Sequence, residues 1–224
     1  MDNLNDASSQ AGRPFVGGPA LDELVQLVAA IRAAKLGAAD MYAALADRIP
    51  GVDATLALRG LAHDEADHAR RLERSVGAKP TSHDVGTAIA PGCGLQDESW
   101  PSALLAAFAL DQAATAALVA IARLGEGRLA ETAAWIVDEE RGHQAFAIGA
   151  FRSVADADPS IGLRLAREMI VVRDWVKQVF PRHATLAELA TAGVLPADAA
   201  KAHDSFLASL GDRVQDALGV LGDL

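Results

Sequence analysis

Two copies of Glu-x-x-His, Glu65/His68 and Glu140/His143, are the residues of this chain whose types and spacing point most directly to chemistry. On a helix, positions three apart stand one turn apart on the same face, so the carboxylate and imidazole of each copy can reach one cation. A single pair of this kind is common as a solvated ion pair. Here each copy interrupts a stripe of apolar positions, where an unpaired charge is costly, so the two together predict a buried metal or polar site. Two further stripes each carry one ionisable residue, Lys35 and Asp111.

The elements that must position these residues read as helices. Leu24, Val28, Ile31, Lys35, Ala38, Tyr42 and Leu45 follow steps of 4 and 3, which keeps them on one face of a first helix that begins after Pro19 and is ended by Pro50-Gly51. A second helix is predicted from about Asp53 to Val76, with Leu58, Leu61, Glu65, His68 and Leu72 inward and Gly77 as its C-terminal cap. Residues 77–101 carry six Gly or Pro before Pro101 and form a long connection. The third stripe is Leu104, Phe108, Asp111, Thr115, Leu118 and Ala122, and Gly125-Glu126-Gly127 turns tightly into a fourth. That one reads Leu129, Ala133, Ile136, Glu140, His143, Ala147, Ala150 and Val154. Asp158-Pro159 supplies an N-cap and first-turn proline for a fifth helix to about Phe180, and Pro196 opens a last one to about Leu218. The prediction is an all-α chain. Residues 1–19 are a loose arm, 20–157 a four-helix bundle of two antiparallel hairpins joined by one long crossover, and 158–224 additional C-terminal helices packed on it in the same domain.

At DEADH (64–68) and DEERGH (138–143) the sequence resembles the ferritin-like superfamily of carboxylate-bridged di-metal proteins, over about residues 22–155. The resemblance implies metal ligation by Glu65, His68, Asp111, Glu140 and His143, with iron or manganese used to activate oxygen or peroxide. The departures from the family pattern are on the first and third helices. Asp111, 29 residues before Glu140, stands where a Glu is usual, and Lys35, 30 residues before Glu65, stands where the other would be. Tyr42, seven residues after Lys35, sits at an offset where the family commonly has tyrosine. Asp40 and Glu23 do not substitute simply for the missing ligand, because one lies on another face and the other more than three turns earlier. Glu168 on the fifth helix is a weaker candidate to reach inward, and a carbamylated Lys35 would restore a carboxylate. Metal-poor relatives with lysine at this position exist.

Charge sets the expected occupancy. Glu65, Glu140 and Asp111 contribute -3 and Lys35 contributes +1, leaving -2, which one divalent ion neutralises. With no metal, protonation of both histidines also neutralises the site. Lys35 and Tyr42 are the candidate catalytic residues: the lysine as a source of charge or a proton, the tyrosine first as a core aromatic whose hydroxyl bonds a carboxylate. Trp135 and Trp175 read as packing residues, and His63, His83, His183 and His203 as surface residues. Asp64, Asp67, Asp138 and Glu139 flank the motifs as solvated groups or hydrogen-bond partners of the ligands.

The rest of the composition narrows the function. Thirty acidic against twenty basic residues give -10, which opposes binding to nucleic acid and disfavours a tRNA-hydroxylating enzyme. The single cysteine, Cys93, lies in PGCG and allows neither an internal disulfide nor the Cys-x-x-Cys site of a rubrerythrin. The N-terminal residues lack a signal-peptide pattern, and charges break the apolar stretches before about 18 residues, so a cytoplasmic protein without a membrane segment is expected. Two functions fit. One is a metal-dependent oxidoreductase or oxygenase acting on a small, mostly apolar organic substrate, with the helices after the bundle walling its cavity. The other is a metal-free accessory or scaffold subunit built around a Lys35-centred ion network, and a homodimer or a ferritin-like partner subunit is the expected assembly.

Overall fold

The computed structural model describes residues 19–76, 99–179 and 183–219. Among them are seven helices and no strand: α1 (Pro19–Ala46), α2 (Val52–Val76), α3 (Trp100–Ala122), α4 (Arg128–Ala157), α5 (Pro159–Val179), α6 (His183–Thr191) and α7 (Ala199–Ala217). The readings that concern the N-terminal arm, the cap at Gly77, most of the long connection, His83 and Cys93 lie outside the described residues.

The local signals act as their chemistry dictates. Gly51 adopts φ +97° between α1 and α2, and Gly125 and Gly127 adopt φ +76° and +96° in the turn into α4, conformations that a Cβ would disfavour. Asp158 caps α5 by accepting from the Ser160 backbone N–H at 2.9 Å and from its hydroxyl at 2.7 Å. Two boundaries differ from expectation. α6 was not predicted, because its nine residues are too short to show a period, and the last helix starts at Ala199 rather than at Pro196.

α1 packs on α2 and α3, and α4 packs on α3 and α2, so the four long helices close a ring of neighbours. α5 and α7 both lie against α3 and α4, while α6 bridges α7 and α1. α3 is consequently buried on nearly every side. By length and apolarity this helix meets the criterion for crossing a membrane, with Asp111 as its one charge, but 89% of its apolar window is buried against other helices. Its hydrophobicity is that of a core helix covered on all faces.

Most predicted stripe positions are buried, while Leu24, Ala122 and Leu129 at the helix ends are half-buried. Val28, Ile31, Lys35, Ala38, Tyr42 and Leu45 of α1 are buried, as are Leu58, Leu61, Glu65, His68 and Leu72 of α2. On α4 the stripe shifts after Ala147 to Phe151 and Ala155 instead of Ala150 and Val154, because a 3.6-residue turn drifts from a strict 3-4 alternation. Apolar side chains form two clusters. One gathers Leu27, Ile31, Leu72, Leu118 and Ile136, and the other Tyr42, Leu58, Leu104, Phe108 and Phe151. Lys35, Glu65, Asp111 and Glu140 fall between them in sequence on their respective helices, forming a polar layer between apolar ones.

Candidate metal centre

One residue from α1, two each from α2 and α4, and two from α3 meet in this layer. The Lys35 Nζ lies 2.5 Å from Asp111 Oδ1, 2.5 Å from Glu140 Oε1, 3.0 Å from Glu65 Oε2 and 2.9 Å from Thr115 Oγ1. All five side chains are fully buried. Thr115, one turn beyond Asp111, bonds back to the Asp111 carbonyl at 3.1 Å and so presents its oxygen to the lysine.

Each carboxylate turns its other oxygen to the far side. Glu65 Oε1, Glu140 Oε2 and Asp111 Oδ2 lie 2.8, 3.4 and 3.9 Å from His143 Nδ1. Ligand atoms of these four residues fall within 4.8 Å of one another, the span of one coordination sphere. Three carboxylates thus bridge two cationic positions. The Lys35 ammonium fills one. The other is the place where the four donors converge.

The histidines present Nδ1 inward and Nε2 outward. His68 Nδ1 faces Glu140 Oε1 at 3.3 Å and Glu65 Oε1 at 3.6 Å, while its Nε2 meets Glu139 Oε2 at 3.1 Å. His143 Nε2 faces Asp64 Oδ2 at 3.6 Å. The residue preceding each motif glutamate therefore reaches the histidine of the other helix. Glu139 stands within hydrogen-bond distance of the outer nitrogen of His68, as carboxylates do at metal-ligating histidines, whereas Asp64 is an ion-pair neighbour of His143 beyond that distance. The inner nitrogens of both rings and both oxygens of Glu65 are buried with charged neighbours close by, yet make no aligned hydrogen bond. Donor atoms left in this state could hold a metal ion.

Two neighbours complete the layer. The Tyr42 hydroxyl donates to Asp111 Oδ2 at 3.2 Å. The Gln112 amide donates to the same oxygen at 3.2 Å and to Glu140 Oε2 at 3.0 Å, and its carbonyl accepts from Gln144 at 2.6 Å. Arg213 of α7 donates to Gln144 Oε1 at 2.7 Å, extending the chain of bonds to the surface. Trp135 sets its ring edge-on to His68 at 5.6 Å under the Arg71 guanidinium, 4.2 Å from its centroid.

Burial penalises every charge in the layer, and the neighbours decide the outcome. For Lys35, the carboxylates of Asp111, Glu140 and Glu65 outweigh burial and hold the ammonium above the ordinary lysine range. Against burial, the close carboxylates of Glu140 and Glu65 raise His68 to about 9 and His143 to about 11. Although burial is the largest single influence on each, Lys35 together with His143 and His68 holds Glu140 well below its usual range and lowers Glu65 too. Asp111 rises to about 8, driven by burial and then by the charges of Glu140 and Glu65. Burial and the same three carboxylates push the Tyr42 phenol far up, so it stays a neutral donor.

The comparisons with known proteins add no relative. No family model, curated protein or solved structure matches the chain.

Lys35, Tyr42, Glu65, Asp111, Glu140 and His143 meet in the layer, and His68 stands beside the group of four rather than within it. Glu168 does not join them: it accepts from Ser102 at 2.7 Å. Asp40 is exposed and His63 is exposed. His203, expected at the surface, is buried, because it falls on the α7 stripe of Ala199, Leu210 and Val214. Gln112 and Gln144 were not singled out. Each adjoins a motif residue in sequence, but their burial depends on the helices that cover α3 and α4. Trp135 had a usable signal, since it precedes Glu139 by four and so shares the face that meets His68.

Proposed function

We propose that this chain is a ferritin-like four-helix bundle protein that holds one iron or manganese ion with Glu65, Asp111, Glu140 and His143 and acts as an oxidoreductase on a small organic substrate. The observation that carries this reading is the bridging arrangement, in which three buried carboxylates give one oxygen each to Lys35 and turn the other toward His143 Nδ1. Lys35 takes the place of a second cation. With the histidines neutral, three carboxylates, one ammonium and one divalent ion sum to zero, whereas a second ion would leave +2 in a poorly solvated layer. A redox-active ion held there would supply one-electron chemistry toward oxygen or peroxide.

The protein's own groups have definite roles in this scheme. Lys35 keeps three carboxylates together, and its ammonium is the nearest proton donor to Asp111 and Glu140. Tyr42 and Gln112 hold Asp111 Oδ2 in place, and Gln112 does the same for Glu140 Oε2. Glu139 holds the His68 imidazole with Nδ1 inward, and Asp64 is the nearest charge to the outer nitrogen of His143. The substrate is a small molecule rather than a nucleic acid or a membrane lipid surface, in a cytoplasmic protein that pairs with itself or with a related subunit.

Elemental analysis of protein purified without chelator and then loaded with Fe(II) or Mn(II) under anaerobic conditions tests the reading. The expected result is about one tightly held ion per chain. Two ions would overturn the role given to Lys35.

A specific observation favours a second reading. With His68 and His143 protonated, as their raised values hold them at neutral pH, Lys35 and the two imidazolium rings surround Glu65, Glu140 and the proton-holding Asp111 without any metal. The layer would then be a buried ion network in an accessory or scaffold subunit. No bound ion after loading, and no change in melting on adding metal, is the outcome that selects it.

A further inference from the structure

We propose that the groove between α5 and α7, floored by α3, binds an apolar organic acid such as a medium-chain carboxylate, with its tail over Phe108 and Leu210 and its charge at Arg173 and Lys177. As the substrate class of the buried centre this rests on the reading above; as a binding site it stands on the groove itself.

α5 and α7 each pack on α3, and the space between them has a volume of about 470 Å³. That is within the range of small-molecule sites, which are mostly apolar with a few placed polar groups. Leu105, Phe108, Met169, Val172, Leu210 and Val214 supply the apolar lining. Ile170, another lining residue, is 39% exposed, so the groove has an apolar lip open to solvent. Such a surface is costly to leave against water and favours an apolar occupant.

The charges on the lining give that occupant a polarity. Arg173 and Lys177, four residues apart on α5, share one edge and, among the described residues, pair only with the exposed Asp174 between them, at 3.9 and 3.5 Å. Asp212 on α7 is the one acidic lining residue, so the lining sums to +1 in a chain of -10. A basic edge on an otherwise acidic protein selects for an anionic end group.

The floor of the groove touches the candidate centre. Gln112 lines it, is almost wholly buried, and donates to both Asp111 and Glu140. A ligand tail in the groove is therefore one side chain away from two of the four proposed metal ligands.

Calorimetric titration of the full metal-free chain with decanoate, decanol and decyltrimethylammonium tests the proposal. Decanoate should bind one per chain, about 10-fold or more tighter than decanol, and the ammonium should bind most weakly. The double variant Arg173→Ala/Lys177→Ala should bring decanoate down to the level of decanol. Gly211→Phe should abolish binding of both, since a Cβ at this groove-lining position meets nothing within 4 Å and the ring can occupy the groove. If that variant melts early, Ala208→Phe, on the exposed lining of α7, makes the same test. Equal affinity for all three ligands, no decanoate binding, or binding that survives both fillings would overturn the site. Metal analysis on the same preparations separates the two ideas. Decanoate binding by a chain that takes up no metal overturns the reading of the centre and supports the groove, and one tight metal ion without decanoate binding does the reverse.

Discussion

Lys35 is the residue on which the centre turns. Its ammonium has more oxygen neighbours than it has protons, and three of them are carboxylates that would otherwise repel one another in a fully buried layer. Lys35→Glu should convert the site from -2 to -4, which two divalent ions neutralise, so metal capacity should rise toward two per chain. Without metal the same variant should melt lower than wild type and recover on adding iron or manganese. Unchanged stoichiometry and melting would show that the lysine has no part in setting occupancy. Glu140 offers a contrast with Asp64. Glu140→Ala leaves Lys35 and both histidines short of a buried anion and should cost about 3–5 kcal/mol, whereas Asp64, 49% exposed beside His143, should cost under about 1 kcal/mol when replaced by Ala. Denaturant unfolding of the two variants checks the difference, and equal losses would refute the buried pairing.

At the scale of the elements, α2 and α4 behave as mirror partners. Each supplies a Glu-x-x-His, and the acid just before each glutamate reaches the histidine of the other helix. α1 and α3 break that correspondence, because Lys35 and Asp111 have opposite charge and pair with each other. α5 is held by a close approach at Gly162, where a Cβ would stand 2.8 Å from the Leu218 carbonyl oxygen and 3.1 Å from the Ala155 Cβ. Backbone cannot yield as a flexible side chain can. Gly162→Val should therefore destabilise by about 1–3 kcal/mol through overpacking between α4, α5 and the end of α7, while Gly149→Ala on exposed α4, with nothing in the way, should be neutral or stabilising. Thermal melting of both variants distinguishes this from a general intolerance of side chains in helices.

For the whole molecule, the centre links folding, pH and metal. The metal-free chain holds protons on His68 to about pH 9 and on His143 to about pH 11, whereas the unfolded chain releases them near 6.5. The stability these residues contribute is complete below 6.5 and is lost as pH rises through the folded values. Asp111 acts in the same direction, since its ionisation is opposed up to about pH 8 in the folded chain but not when unfolded, where it ionises near 3.8. Glu65 and Glu140 act oppositely, their contribution being lost as pH falls below the ordinary value of 4.5. The metal-free melting temperature should therefore be highest between these limits and fall above pH 6.5. To ligate, His143 must give up its proton, so metal should bind with release of about one proton or more at neutral pH, and the gain in melting temperature on adding Mn(II) should be larger at pH 8 than at pH 6. Calorimetry in buffers of different ionisation enthalpy measures the release. A metal-induced gain that shrinks with rising pH would contradict the proposed ligand set.

How much of this was legible beforehand follows from what each interaction depends on. The helices, their inward faces and the alignment of Lys35, Glu65, His68, Asp111, Glu140 and His143 with those faces follow from periodicity, because a side chain's direction on a helix is set by local backbone geometry alone. The two motifs marked a buried polar layer for the same reason: ionisable residues on apolar stripes require partners. Which oxygen of each carboxylate serves Lys35 and which faces His143 depends on how four helices meet, and no local pattern encodes it. The same is true of Gln112 and Gln144, which lie off the predicted stripes and are buried because α5 and α7 cover the sides of α3 and α4 left open by the first four helices. His203 became buried through the same covering. α6 carries no legible period because its nine residues make only about two and a half turns, and it packs against α1 and α7 without any strong pattern of its own. The groove between α5 and α7 is a space between elements, so it exists only once those elements have packed.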